Sequence, residues 1–441
     1  MFFSRNLRWM ILVLVGLVGM ALTIGCSRQN SAQARSSADE VTVVDVWCWE
    51  ADEYQTPLTS KFYETHPNIK IRNTLIQQAE MPVKIQTTLA SGSEIGDMVW
   101  LEMGVRGKLL ALDCWDDLTK APYNLDTSRL WASMLPLATN PKGELVGVDC
   151  APAMSGIAYK RELADQYFGT SDLAEVSGMF KTWDDFIVKG QEVQRESGGT
   201  VYLFPGLQDL FKILVGQTNT PYLTDGNKLN LRNALGYTFD LLIKFKQAGV
   251  VDGIMQDTPA WNASVTDKTH IFMPMPEWGP SWIVKVNDPD MVNTWGLITP
   301  PGGSYPWGGT AWGIPKGAKD KEAAWAWLSW NNLGGVQDPG PQVRRDSDLF
   351  SADKSLYDPA AKFYTRPDPY FGGQDVLNYL TTVLAPATPP SRQVCEFDSE
   401  INDAIALAVT RLVSASGPVT TDELIALIED DLLQRVPSLT R

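Results

Sequence analysis

The chain has 441 residues, 37 basic and 52 acidic side chains, and a net charge of −15. A globule this acidic stays in solution by self-repulsion and makes a poor partner for nucleic acid or an anionic lipid surface. At this length it exceeds one compact core, so two lobes or domains are expected.

The chain opens with Arg5 and Arg8, and Trp9 to Ile24 follow as an uncharged apolar run ending in "LTIGC" at Cys26. A membrane-spanning helix needs about 20 apolar residues, and this run is shorter and carries the flanks of a signal peptide. Small residues before a cysteine and a polar tract after it resemble the lipobox of bacterial lipoproteins, with Thr23 where Leu is more usual. The resemblance implies cleavage after residue 25 and a lipid on Cys26. Residues 26–41 read as a flexible tether, being polar and poor in large apolar residues. Loss of residues 1–25 removes two arginines and no acids, leaving 35 basic against 52 acidic side chains, a net charge of −17.

From residue 42 onward strand-like and helix-like segments alternate. "VTVVDVWCW" (41–49) is rich in β-branched residues and reads as a buried strand. "TPLTSKFYETHP" reads as a helix stopped near Pro67, "NIKIRNTLI" as a strand, "MPVKIQTTLASGS" as a helix ending near Gly92, and "DMVWL" as the next strand. This rhythm predicts a mostly parallel sheet covered by helices, with ligand beyond the carboxyl ends of the strands. Trp49, Glu50, Trp100 and Glu102 fall at such ends. Further on, "KTWDDFIVKGQEVQ" begins with an N-cap at Thr182 and an acid at Asp185. "LGYTFDLLIKFKQAGV" is an amphipathic helix closed by Gly249. "THIFMPMPEWGPSW" is a strand entering a Pro/Gly-rich loop. "DSEINDAIALAVTRLV" and "TTDELIALIEDDLLQRV" are two C-terminal helices.

The only histidines, His66 and His270, read as packing or surface residues, and no cysteine shows metal spacing, so no metal and no cofactor are expected. Cys48, Cys114, Cys150 and Cys395 allow three disulfide pairings that the sequence does not rank. No G-x-S-x-G elbow, P-loop or HExxH is present.

The order of several segments resembles extracellular solute-binding proteins of ABC importers, in the group that includes maltodextrin-binding proteins. "VDVWCWEAD", "FYETHPNIKI", "LASGSEIGDMV", "MSGIAYKREL", "KTWDDF", "WGIPKGAKDKEAAWAWL" and "PYFGGQDVL" carry the likeness, each loose alone. Cys48 and Cys150 depart from it. The resemblance implies an α/β fold of the type II periplasmic-binding-protein kind, two lobes with a hinged ligand cleft. Residues 42–152 plus 305–340 would form lobe 1, and 153–304 plus 341–441 lobe 2. It implies a monomeric, lipid-anchored, extracytoplasmic subunit that captures a sugar or oligosaccharide and delivers it to the permease subunits of an ABC transporter. A secreted glycoside-acting enzyme with paired carboxylates, and a sugar sensor for signalling, are the alternatives.

Five tryptophans stand between Pro306 and Trp330. The helix from Asp320 is apolar nearly all round, so Trp325, Trp327 and Trp330 read as core. Trp307 precedes Gly308 and Gly309 in a loop where backbone can approach a ligand, and Trp312 fits core or cleft equally. "PEWGPSW" (276–282) resembles a family loop whose first tryptophan stacks on sugar, which maps to Trp278. The resemblance and the strand ends together give as ligand-binding candidates Trp49, Glu50, Trp100, Glu102, Asp209, Trp278, Trp307, Gly309, Gln374 and Asp375. Each acid fits a solvated surface charge as well, and Trp49 and Trp100 fit packing between lobes as well.

Overall fold

The computed structural model describes residues 41–49 and 52–441. The expected leader and lipidation site Cys26, most of the expected tether, and Glu50 lie outside the described residues.

The first sheet holds β1 (Thr42–Cys48), β2 (Ile69–Leu75), β3 (Met98–Glu102) and β4 (Gly147–Asp149). The second holds β5 (Ser155–Lys160), with β6 (Leu223–Thr224) and β7 (Lys228–Leu229) forming a separate small ribbon. β8 (Phe272–Pro276) and β9 (Trp295–Ile298) flank β5, while β10 (Thr310–Gly313) returns to the first sheet. The orders are β2-β1-β3-β10-β4 and β8-β5-β9, which makes a two-lobed α/β fold.

Side-chain alternation along the strands builds two cores on each sheet. Val44, Val46, Cys48, Met98 and Trp100 face the helices Asp52–Thr65 and Lys321–Asn332. Trp47, Val99 and Leu101 face the opposite way, toward Met81 and Ile85 of the Met81–Ala90 helix. In the second lobe, Ile157, Tyr159 and Phe272 pack under the Trp183–Glu196, Leu231–Ala248, Asp398–Ser414 and Thr421–Arg435 helices. Ala158, Met273 and Leu297 point to the other side.

The parallel expectation holds only for part of the first sheet. β1 pairs in parallel with β2 and β3, but β10 runs antiparallel to both β3 and β4, and β5 is antiparallel to both its neighbours. The reason is connectivity: β10 comes back from the other lobe and enters the sheet from its far end. The Pro339–Asp346 helix packs on Asp52–Thr65 and Lys321–Asn332, so the chain stays with the first sheet past the crossing expected near residue 340. Gly340 permits this approach, because a Cβ there would lie 1.9 Å from the Trp330 carbonyl oxygen.

Local signals read from sequence are realised. Thr182 Oγ1 accepts the Asp185 N–H at 3.2 Å while Asp185 Oδ2 accepts the Thr182 N–H at 2.7 Å, a reciprocal cap. Gly249 closes the Leu231–Ala248 helix with φ of 68°.

Of the tryptophans in the 321–332 helix, Trp327 is core, while Trp325 and Trp330 are partly buried and pack against the same cluster. Trp327 is fully buried, stacks on Trp312 at 6.2 Å and on Trp330 at 5.9 Å, and meets the edge of Phe62 at 5.0 Å. Trp325 meets Tyr123 at 5.5 Å. Trp327→Ala is expected to cost about 3–5 kcal/mol of stability, read as a lowered urea midpoint, because a closely packed ring leaves a cavity that its neighbours cannot fill.

Candidate functional site

A cavity of about 360 Å³ lies between the two sheets at the strand ends. The first lobe contributes Trp49 after β1, Gln78, Trp100 and Glu102 of β3, Cys150 and Ala151 after β4, and Thr310 and Trp312 of β10. The second lobe contributes Glu277, Trp278 and Trp282, from the loop and helical turn after β8. Arg344, Asp348, Leu349 and Phe350 close a third side.

The aromatic wall is a connected stack. Trp49 meets Trp100 edge-on at 5.0 Å, and Trp100 lies nearly parallel to Trp312 at 5.7 Å, a consequence of their pairing across β3 and β10. Across the cleft, Trp278 meets Trp307 at 5.5 Å and donates its Nε1–H to the Trp307 carbonyl at 3.3 Å. Trp307 therefore supports Trp278 from behind and is absent from the cavity wall.

The backbone at the rim is fixed by Arg106, which is fully buried. Its Nε donates to the Leu101 carbonyl at 3.0 Å and its Nη2 to the Gly309 carbonyl at 2.8 Å. Its Nη1 lies 2.9 Å from Asp149 Oδ1. Burial pushes the Asp149 carboxyl up and the guanidinium opposes it. Gly309 lines the cavity with φ of 114°, in the region that favours glycine, 3.4 Å from Asp149 Oδ1 at the Cβ position.

Polar groups on the wall differ in how far the protein satisfies them. Glu102 accepts the Gly104 N–H at 2.6 Å, and burial raises its pKa. Arg344 donates to the Phe350 carbonyl at 2.6 Å and to Asn331 Oδ1 at 2.7 Å. Asp348 pairs with Lys285 at 3.1 Å and with Arg366. Trp100 Nε1, Trp312 Nε1 and Glu277 Oε2 are buried without a hydrogen-bond partner. Unmet polar atoms on a cavity wall are the groups a hydroxylated ligand can satisfy. A second cavity of about 790 Å³ shares Gln78 and Glu102 and continues toward Lys212 and Asp257.

Of the sequence candidates, Trp49, Trp100, Glu102, Trp278 and Gly309 meet in the cleft, and Glu50 lies outside the described residues. Asp209, Gln374 and Asp375 do not reach it, and each is used by its own surroundings. Asp209 is fully buried, accepting Trp261 Nε1–H at 2.9 Å and the Gly206 N–H at 3.1 Å. Gln374 bonds both polar groups of Leu297 at 2.9 Å, and Asp375 caps a helical turn by accepting the Asn378 N–H at 3.0 Å. Gln78, Cys150, Glu277, Trp282, Arg344 and Asp348 are cleft residues that sequence reasoning did not select. Glu277 and Trp282 carried a signal, since they flank Trp278 in the same short segment.

Cys114, Cys150 and Cys395 are free thiols. His66 stacks on Phe62 at 4.3 Å, and His270 sits between Asp267 at 2.6 Å and Asp252 at 3.2 Å. Among the described residues no group of three or more His, Cys, Asp or Glu side chains could hold a metal ion, and no helix is long and apolar enough to cross a membrane.

Two α/β lobes closing on an aromatic cleft at their strand ends define a solute-binding protein. The profile of the bacterial extracellular solute-binding protein family matches residues 58–333, and the chain belongs to that family. A crystal structure of an extracellular solute-binding protein family 1 is similar at 20% identity and TM-score 0.75, over 89% of this chain and 99% of that one. The galacto-N-biose-/lacto-N-biose I-binding protein of the ABC transporter from Bifidobacterium longum, solved with lacto-N-biose, is similar at 15% identity and TM-score 0.70, over 91% and 99%. The ABC transporter associated binding protein from B. animalis subsp. lactis Bl-04, solved with β-1,6-galactobiose, is similar at 17% identity and TM-score 0.68, over 91% and 99%. At these identities the likeness shows the fold. No curated protein matches the chain significantly in sequence.

Asp209 gives a prediction separate from the cleft. Burial raises its pKa from 3.8 to about 7. The folded state thus holds its proton longer than the unfolded chain, so its contribution is complete below about pH 4 and is lost as pH rises through 7. Asp209→Asn is expected to flatten the fall of the unfolding midpoint between about pH 4 and 7, an effect on the order of 2–4 kcal/mol. An unchanged slope would mean that Asp209 stays ionised in its buried site.

Proposed function

We propose that this protein captures a sugar or oligosaccharide in the cleft between its lobes and delivers it unchanged to a membrane permease of an ABC transporter. The observation that carries this reading is the wall itself: Trp49, Trp100 and Trp312 on one side, Trp278 and Trp282 on the other, with Glu102, Glu277 and two unpartnered indole N–H groups between them. Sugar rings offer apolar C–H faces and a rim of hydroxyls, which such a surface matches. The sugar ligands named for similar solved structures support the class. The continuation toward Lys212 leaves space for more than one sugar unit. Lipidation at Cys26 would hold a monomeric protein at the membrane on the extracytoplasmic side, close to the permease.

Calorimetric titration with β-1,6-galactobiose, lacto-N-biose, maltose and longer oligosaccharides, with products followed by chromatography, tests this reading. Binding without turnover is expected; turnover would place the protein among enzymes, and binding of peptides or polyamines alone would remove the sugar. Trp278→Ala is expected to weaken sugar binding at least about tenfold, since ring contact and burial together exceed about 1.4 kcal/mol. The unfolding midpoint is expected to change little, because Trp278 is only half-buried on a loop.

Cys26→Ser tests the anchor. Metabolic fatty-acid labelling is expected to disappear in that variant, with the uncleaved precursor accumulating; unchanged labelling would contradict the anchor.

A further inference from the structure

Glu277 is an acid placed where an acid is costly. It is 7% exposed, at the end of β8, on the wall of the aromatic cavity next to Trp278. Its own backbone N–H is the hydrogen-bonding group that favours its charge, and its Oε2 has no partner.

The neighbouring charges do not compensate it. Asp149 repels a negative charge at Glu277 and is itself held by Arg106. Arg344 is directed to the Phe350 carbonyl and to Asn331, and Asp348 is directed to Lys285 and Arg366. Glu102 is a second acid, and the Cys150 thiol is pushed up to about 12 by burial. The Tyr357 hydroxyl donates away, to the Ser351 carbonyl at 2.8 Å.

Resting on the sugar-binding reading, we infer that Glu277 meets its ligand as a neutral carboxylic acid and donates its O–H to an oxygen acceptor on the sugar. A buried carboxyl without a cation favours its uncharged form. As an acid it adds an O–H donor beside the unpartnered indole N–H groups of Trp100 and Trp312; as a carboxylate it could only accept. Burial pushes its pKa from 4.5 to about 8. The protonated form is the binding form, so affinity is constant below about pH 8 and falls about tenfold per pH unit above it, one proton being linked to binding.

Two measurements test this. In the unliganded protein at pH 7, the infrared difference spectrum between wild type and Glu277→Gln is expected to show a protonated carboxyl C=O band. An ionised carboxylate signature instead overturns the inference and leaves the sugar reading standing. Tryptophan fluorescence titration with the tightest-binding disaccharide of the panel, between about pH 6 and 9.5, is expected to show the tenfold loss per unit in wild type. Glu277→Gln, which carries an N–H donor at every pH, is expected to remove that dependence, and Glu277→Leu to weaken binding at least about tenfold at pH 6. Unfolding midpoints of both variants separate a binding defect from misfolding. Affinity that rises with pH means that a carboxylate engages a donor or a cationic ligand, and it overturns the inference, as does a pH dependence retained in Glu277→Gln. If no sugar in the panel binds, the sugar reading fails first and the assigned ligand acceptor with it, while the infrared band still reports the state of Glu277.

Discussion

The Arg106 guanidinium holds together three pieces of chain that the cleft cannot do without. It joins Leu101 in β3, Asp149 at the end of β4 and Gly309 just before β10, which are far apart in sequence and adjacent at the rim. Burying a guanidinium beside a carboxylate is expensive; here the Nε and Nη2 hydrogen bonds to Leu101 and Gly309 offset part of that expense, while Nη1 meets Asp149 as a close ion pair without hydrogen-bond geometry. Arg suits the task because its planar fork serves several acceptors at once, which a lysine ammonium does in no fixed geometry. The result is an aligned set of strand ends, with the aromatic wall standing on them.

That alignment explains how an aromatic surface can be both apolar and discriminating. Trp100 and Trp312 are register partners on adjacent strands, and Trp312 stacks in turn on the fully buried Trp327. The cleft rings are thus the outer end of an aromatic column rooted in the lobe core, so little entropy remains to be lost when a ligand lies on them. Trp278 has shallower support, from Trp307 and a single hydrogen bond, and it belongs to the opposite lobe. A rigid wall facing a more lightly held one suits a cleft that closes by rotation about its crossing segments.

Much of the fold could be read from local pattern. β-Branched richness marked β1 as a buried strand, the Thr182–Asp185 pair marked a helix start, and all-round apolarity marked the 321–332 helix as core. Trp49, Trp100 and Glu102 were legible for the same reason, because buried parallel strands deliver their last residues to the ligand side. The antiparallel entry of β10 was not, since pairing direction depends on a chain path through the other lobe. Asp209, Gln374 and Asp375 were misleading because polar residues near a cleft are also used for capping and for bonding backbone, and sequence alone does not distinguish a spent acceptor from an open one. Arg344 and Asp348 come from a segment far in sequence from Glu277 and Trp278, and only the tertiary fold brings the two segments to one cavity.

Under the proposed function a sugar is held between the tryptophans of the two lobes. A crystal structure of the protein with its tightest-binding oligosaccharide tests that directly. Sugar C–H faces are expected on Trp100 or Trp49 and on Trp278, with a ligand oxygen at Glu277. Ligand seated wholly on the Lys212 side, with the tryptophan wall empty, would contradict this placement.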